Sequence, residues 1–268
     1  MKGMTVMPVF PKFDYENNDI TKIKMQDFCL LQNPQDPEQL AVLKSKTPAR
    51  IAIGHTGARY PTCSYLRFRA DQAAAADAVF SEVSEETVKE LGLFEVRTKC
   101  ENKSMMITRP DLGRLFDEDT QKKISENCKH DIDVEIYVGD GLCAPSVAAN
   151  IPDILPAITK GLEAEGVTVG TPFFVRYCRV NTTRTIAPLL NAKLTCVLIG
   201  ERPGLLTAES MSAYMAYNAR PDMQESEYTV VSNISRHGIP PVEAAAHIVD
   251  LMLEILKQKK SGVNLCLN

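Results

Sequence analysis

Gly139-Asp140-Gly141-Leu142-Cys143-Ala144 follows a strand-like run and has the form GxGxxA, in which backbone amides at a helix start can approach a pyrophosphate. Used that way, it would make the chain a dinucleotide-dependent oxidoreductase. The acid that should hold a ribose at the end of the next strand is missing, because Arg176 and Arg179 stand there. A turn that needs glycine for its backbone freedom is the competing reading. Gly200-Glu201-Arg202-Pro203-Gly204 follows the most apolar strand and brings a carboxylate, a guanidinium and a rigid turn to one address. A ligand site competes there with a solvated loop carrying a local ion pair. Thr108-Arg109-Pro110-Asp111-Leu112-Gly113-Arg114 reads as a guanidinium-rich helix entry, able to hold an anion or a partner's carboxylate, or as a plain helix-starting turn.

Other chemistries lack their residues. None of the four histidines (His55, His130, His237, His247) belongs to an HExxH pattern or follows an aspartate by two positions, so a zinc site is not expected. Ser210 and Ser232 lack the GxSxG context, and no cysteine adjoins a histidine in a nucleophile pattern, which leaves hydrolysis by this chain alone unsupported. No two of the eight cysteines are closer than 15 positions, so CxxC metal or redox spacing is absent and reduced thiols in a cytoplasm are expected. Several sit in apolar runs, as Cys196 does, where cysteine acts as a small hydrophobe.

The elements that must position these groups follow from periodicity. Residues 1–35 mix Pro, Asn, Asp and Lys without a repeat and read as an arm. Asp36-Pro37-Glu38 opens a helix, an Ala-rich stretch spans 71–80, and Ser84-Glu85-Glu86 starts another helix closed by Gly92; together these predict a small helical domain over 36–105. From 106 to 268, strands alternate with helices at βαβ spacing, which predicts a doubly wound, mostly parallel, Rossmann-like α/β sheet. Its strands are expected at 132–138, near a sheet edge, and at 173–178, 194–199 and 228–231, the last three parallel. A helix through Ile151, Ile154, Leu155, Ile158 and Leu162 is expected to start at Asp153 if Pro156 is to lie in its first turn. A final helix should show Val242, Ala245, Ala246, Val249, Leu253 and Leu256 on one face. Ligands of such sheets bind beyond the strands' carboxyl ends, which singles out 139–141, 176–180, 200–204 and 232–233. With 30 basic against 34 acidic residues and no cationic run, nucleic acid is a poor partner, and the apolar runs are far short of the roughly 20 residues a membrane span needs. Nothing at the start reads as a secretion signal.

Four of these segments, Ile107–Arg114, Val169-Gly170-Thr171-Pro172-Phe173-Phe174-Val175-Arg176-Tyr177, Gly200–Leu205 and Pro240-Pro241-Val242-Glu243-Ala244-Ala245-Ala246, together resemble the small (light) chain of ethanolamine ammonia-lyase. The resemblance runs in order from about Leu43 to the C-terminus. It implies a bacterial complex in which a large barrel subunit holds ethanolamine, adenosylcobalamin lies between the two chains, and the small chain completes the cofactor site without a catalytic residue of its own. The family's cobalamin contacts correspond here to Arg179-Val180, Glu201 and Val230, the last departing from the cysteine of some relatives. Asp-x-His-x-x-Gly, the marker of cobalamin proteins that replace the lower base with histidine, does not occur, which implies a cofactor that keeps its own lower ligand. The resemblance also implies bacterial cytoplasm, within an ethanolamine-utilisation microcompartment to which an N-terminal extension can direct the chain. A dinucleotide-dependent oxidoreductase and a purely structural adaptor stand as alternatives.

Overall fold

The Asp36 side chain accepts the Gln39 N–H at 2.9 Å and so opens α1 (Pro37–Ser45), as its type and place predict. The computed structural model describes residues 10, 14 and 19–266, and the chain divides into two units, residues 1–74 and 75–268. The arm expected over 1–35 lies largely outside the described residues before position 19. From Ile20 onward it is built into the first unit: Ile23 and Met25 are buried with Cys63 of α2 (Thr62–Phe80), and Arg67 donates to the carbonyls of Ile20, Thr21 and Ile23. A segment held by one guanidinium on its carbonyls needs no hydrophobic period, which is why none was visible.

The second unit continues with α3 (Glu85–Glu90), where Ser84 accepts the Thr87 N–H at 3.1 Å, and then β1 (Phe94–Arg97). Within the stretch 36–105, expected to be helical, Phe94–Arg97 is a four-residue edge strand paired in parallel with Phe173–Arg176. Next come α4 (Lys103–Thr108), α5 (Glu118–Asn127), β2 (Val134–Gly139), α6 (Pro145–Ala164), β3 (Phe173–Arg176) and α7 (Thr183–Leu190). They are followed by β4 (Leu194–Gly200), β5 (Met211–Tyr217), β6 (Thr229–Ile234) and α8 (Pro241–Gln258). The six strands form one mixed, mostly parallel sheet in the order β1-β3-β2-β4-β5-β6.

The α/β class is as expected, but the order departs from the 3-2-1-4-5-6 of dinucleotide-binding sheets, and β5 is antiparallel to both neighbours. That strand was invisible to a search for β-branched runs, because Met-Ser-Ala-Tyr-Met-Ala-Tyr contains none. β3, β4 and β6 do run in one direction, with β5 inserted between the last two. β2, expected near an edge, is central and wholly buried. Its polar alternates are buried as well: the Tyr137 hydroxyl meets the Thr182 hydroxyl at 2.9 Å and its ring stacks on Phe173.

Helices cover both faces. α6 and α8 lie over Val134, Ile136, Val138, Cys196 and Leu198, while α5 and α7 lie over Tyr137, Phe173, Val175 and Val197. Each fully buried Ile or Leu of α6 contributes about 1.5–3 kcal/mol. α6 begins at Pro145, not at Asp153, and carries Pro152 and Pro156 in its interior. The buried face of α8 is turned from the expected one: Ala244, Ala245, Ile248, Leu251, Met252 and Ile255 are buried, whereas Val242 and Ala246 are exposed. Among the described residues no helix is long and apolar enough to cross a membrane.

Candidate functional site

The connection after β2 leads to α6 on one face of the sheet, and the connection after the adjacent β3 leads to α7 on the other. Where neighbouring strands part company like this, their carboxyl ends leave a crevice. Here the crevice has a volume of about 390 Å³ and is lined by residues of three strand tips: Gly141 and Leu142, Cys178 to Val180, and Ile199 to Arg202, with Tyr214 of β5 beside them.

Close packing of the tips explains the glycines. A Cβ on Gly139 would come within 2.7 Å of Cys178, and one on Gly141, which has φ of +55°, would collide with the Gly200 carbonyl. That carbonyl accepts the Leu142 N–H at 3.0 Å. The start of α6, where a pyrophosphate would sit, is filled by the β4–β5 loop: the Cys143 thiol meets the Ala208 carbonyl and the Asn150 amide donates to the Glu209 carbonyl at 2.8 Å. Ser146 is fully buried. The GxGxxA run is therefore a packing device, and the dinucleotide reading loses its site.

Of the four expected site residues, Arg179, Val180 and Glu201 line the crevice. Val230 does not; it lies on β6 directly opposite Tyr214 and is 43% exposed, so it borders the same surface one strand further along. Glu201 does not form the local pair with Arg202 that sequence left open. One oxygen accepts the Ser210 hydroxyl at 2.7 Å; the other accepts the Ser212 hydroxyl and the Asn233 N–H at 3.1 Å. Register makes this possible, since Gly200, Met211 and Ile234 stand in one row across three strands. A carboxylate offers about four lone-pair sites, so roughly one remains for a ligand donor.

Arg179 is seated by a segment whose part sequence reading missed. Thr108–Arg114 runs from the exit of α4, where Pro110 drives Arg109 out of helical backbone, into a single 3-10 turn at Leu112–Arg114. Met106 at the end of α4 accepts from the Arg179 guanidinium at 2.8 Å, and Gly113 accepts the Arg179 N–H at 2.9 Å. A Cβ on Gly113 would press to 2.8 Å from the Arg179 side chain, a close approach only glycine allows. The Nε–H of Arg179 is buried with no acceptor among the described residues. Burial, then the Arg114 charge, hold its pKa below the usual arginine value. Arg176, by contrast, is structural: it makes a two-pronged pair with Glu95 at 2.6 Å and donates to the Val83 carbonyl.

The ethanolamine ammonia-lyase light-chain (EutC) family profile matches residues 37–266. The small subunit of ethanolamine ammonia-lyase from Clostridium tetani is 49% identical over 92% of this chain and 84% of its own length. The same subunit from Clostridium perfringens is 48% identical over the same shares, and that from Fusobacterium nucleatum 47%. The chain belongs to the ethanolamine ammonia-lyase light-chain family. The light-chain match opens at Pro37, the first residue of α1, and so includes every strand and the whole crevice. Residues 1–36 lie outside that match.

All eight cysteines are free thiols, six of them buried. Burial pushes Cys63, Cys100, Cys143, Cys178 and Cys196 up from the usual thiol value, and Cys128 up to about 12. They act as packing groups. Among the described residues no cluster of His, Cys, Asp and Glu could hold a metal ion.

Proposed function

We propose that this light chain completes the adenosylcobalamin site of ethanolamine ammonia-lyase at an interface with the large subunit, and that the complex converts ethanolamine to acetaldehyde and ammonia. The observation that carries the reading is the pairing, in one open crevice, of the Arg179 side chain, seated by the Met106 and Gly113 carbonyls, and a Glu201 carboxylate held rigid with an acceptor site left over. The corrin rim carries amides and a phosphate-bearing nucleotide tail, which call for a few placed polar groups against an apolar wall. Val180, Ile199 and Tyr214 supply the wall. At about 390 Å³ the crevice sits at the low end of the roughly 300–1,000 Å³ that encloses a drug-sized ligand. A corrin is larger, so this chain offers one wall and the other must come from a partner.

When bound, adenosylcobalamin supplies homolysis of its cobalt–carbon bond, the step no protein side chain can perform. This chain's residues orient and enclose. Glu201 and Arg179 fix polar groups of the rim, while Val180 and Val230 keep water from the edge of the site. No catalytic residue is assigned to this chain, and turnover requires the large subunit. We propose further that the complex works in bacterial cytoplasm within an ethanolamine-utilisation microcompartment, a location testable by co-sedimentation with shells.

The test is cofactor titration of the co-expressed complex, followed by visible absorbance. Val180→Asp and Glu201→Ala should each weaken cobalamin binding about tenfold or more, the worth of one lost polar contact or one buried charge. A purely structural adaptor predicts unchanged affinity in both.

A further inference from the structure

Tyr177, the residue joining β3 to the crevice-lining segment, has φ of +58°, a left-handed backbone that bulky residues rarely adopt. Such a conformation persists only where its surroundings over-determine it. Three contacts do so here. The Thr98 hydroxyl donates to the Tyr177 carbonyl at 3.0 Å, the Tyr177 hydroxyl donates to Glu82 at 2.8 Å, and the next amide, Cys178 N–H, donates to Asp140 at 2.8 Å. Asp140 is fully buried, and its second oxygen lies 3.4 Å from Lys103 Nζ, which also donates to the Gly141 carbonyl at 2.7 Å. One buried pair thus grips the tips of β2 and β3 together.

We propose that Asp140, supported by Lys103, is a positioning residue that locks the left-handed turn at Tyr177 and so aims Arg179 and Val180 into the crevice. A buried ion pair adds little net stability over apolar groups of the same volume, so stability does not explain this one. Geometry does. Among the described residues Asp140 accepts the Cys178 N–H, and Cys178, Arg179 and Val180 follow Tyr177 directly into the lining. The inference rests on the cobalamin reading and adds to it which residue sets the shape of the β3 tip.

The test uses the complex co-expressed with its large subunit, measuring KM for adenosylcobalamin and kcat at saturating cofactor. Asp140→Ala should raise KM about tenfold with kcat within about twofold, since the turn relaxes but saturation restores the bound geometry. Asp140→Asn keeps an oxygen for the Cys178 N–H and should recover most of that loss. Thr98→Val, a small lesion on the other side of the turn, should raise KM in the same direction by less. A folded Asp140→Ala complex with unchanged KM, or Asn and Ala variants equally impaired, overturns the inference. Should Asp140→Ala not assemble, an unchanged KM in Thr98→Val overturns it instead. The Val180→Asp complex separates the two readings: impaired there with Asp140→Ala unchanged, only the positioning role fails, whereas both unchanged removes the cobalamin reading as well.

Discussion

Glu135, in the middle of β2, makes stability of this chain fall as pH rises. Its carboxyl group is fully buried, neither oxygen makes a well-formed hydrogen bond among the described residues, and the missing side chain at Gly170 makes room for it, since a Cβ there would collide with the carboxylate. Burial pushes its pKa from 4.5 up to about 8; the amides of Thr171 and Ile136 and the Lys129 charge offset only part of that. A carboxyl whose folded pKa is raised binds its proton more tightly when folded than when unfolded. The native state therefore loses stability as pH climbs through the window between 4.5 and about 8 and is undisturbed below it. Over pH 5 to 8 the loss is on the order of 3–4 kcal/mol, a large share of a typical 5–15 kcal/mol. For a unit of this size that is about 10 °C in Tm. Glu135→Gln keeps the volume and removes the titration. Scanning fluorimetry of both proteins from pH 5 to 9 should give curves that converge near pH 5, with the wild type melting about 10 °C lower at pH 8. Parallel curves would refute the buried-acid argument.

Three further outcomes follow from the same structure. Ellman's reagent should label Cys266 quickly and Cys29 more slowly in the native chain, and reach all eight thiols only on unfolding, because the other six are buried. Gly141→Ala should cost about 3 kcal/mol, from the left-handed backbone and the collision with Gly200, read as a denaturant midpoint shift with unchanged slope. Ser210→Ala should weaken cobalamin binding in the complex by several-fold without moving the melting point more than a few degrees, because it frees one Glu201 oxygen to swing.

How much of this was legible beforehand divides along physical lines. Helix caps at Asp36 and Ser84, the apolar β4 and the glycine-bearing tips are local signals, and each appears where residue type and spacing placed it. What sequence misjudged depends on partners distant along the chain. The alternation in β2 suggested a half-exposed strand, yet Tyr137 is satisfied by Thr182, 45 residues away, and Glu135 is simply buried. β5 carries its period-2 pattern in Met, Ala, Ser and Tyr, with Met211, Ala213 and Met215 facing the core, and an alternation count without β-propensity would have found it. The crevice was legible in its address, since three of four named residues line it. The clamp on Glu201 was not, as it draws on two serines and an amide from strands whose register only the fold sets.

The most direct test is an electron cryo-microscopy map of the co-expressed complex with adenosylcobalamin bound. The account predicts corrin density against Arg179, Val180 and Glu201, with the large subunit closing the opposite side. Density for the cofactor elsewhere, with the tips of β2, β3 and β4 facing bulk water, would contradict it.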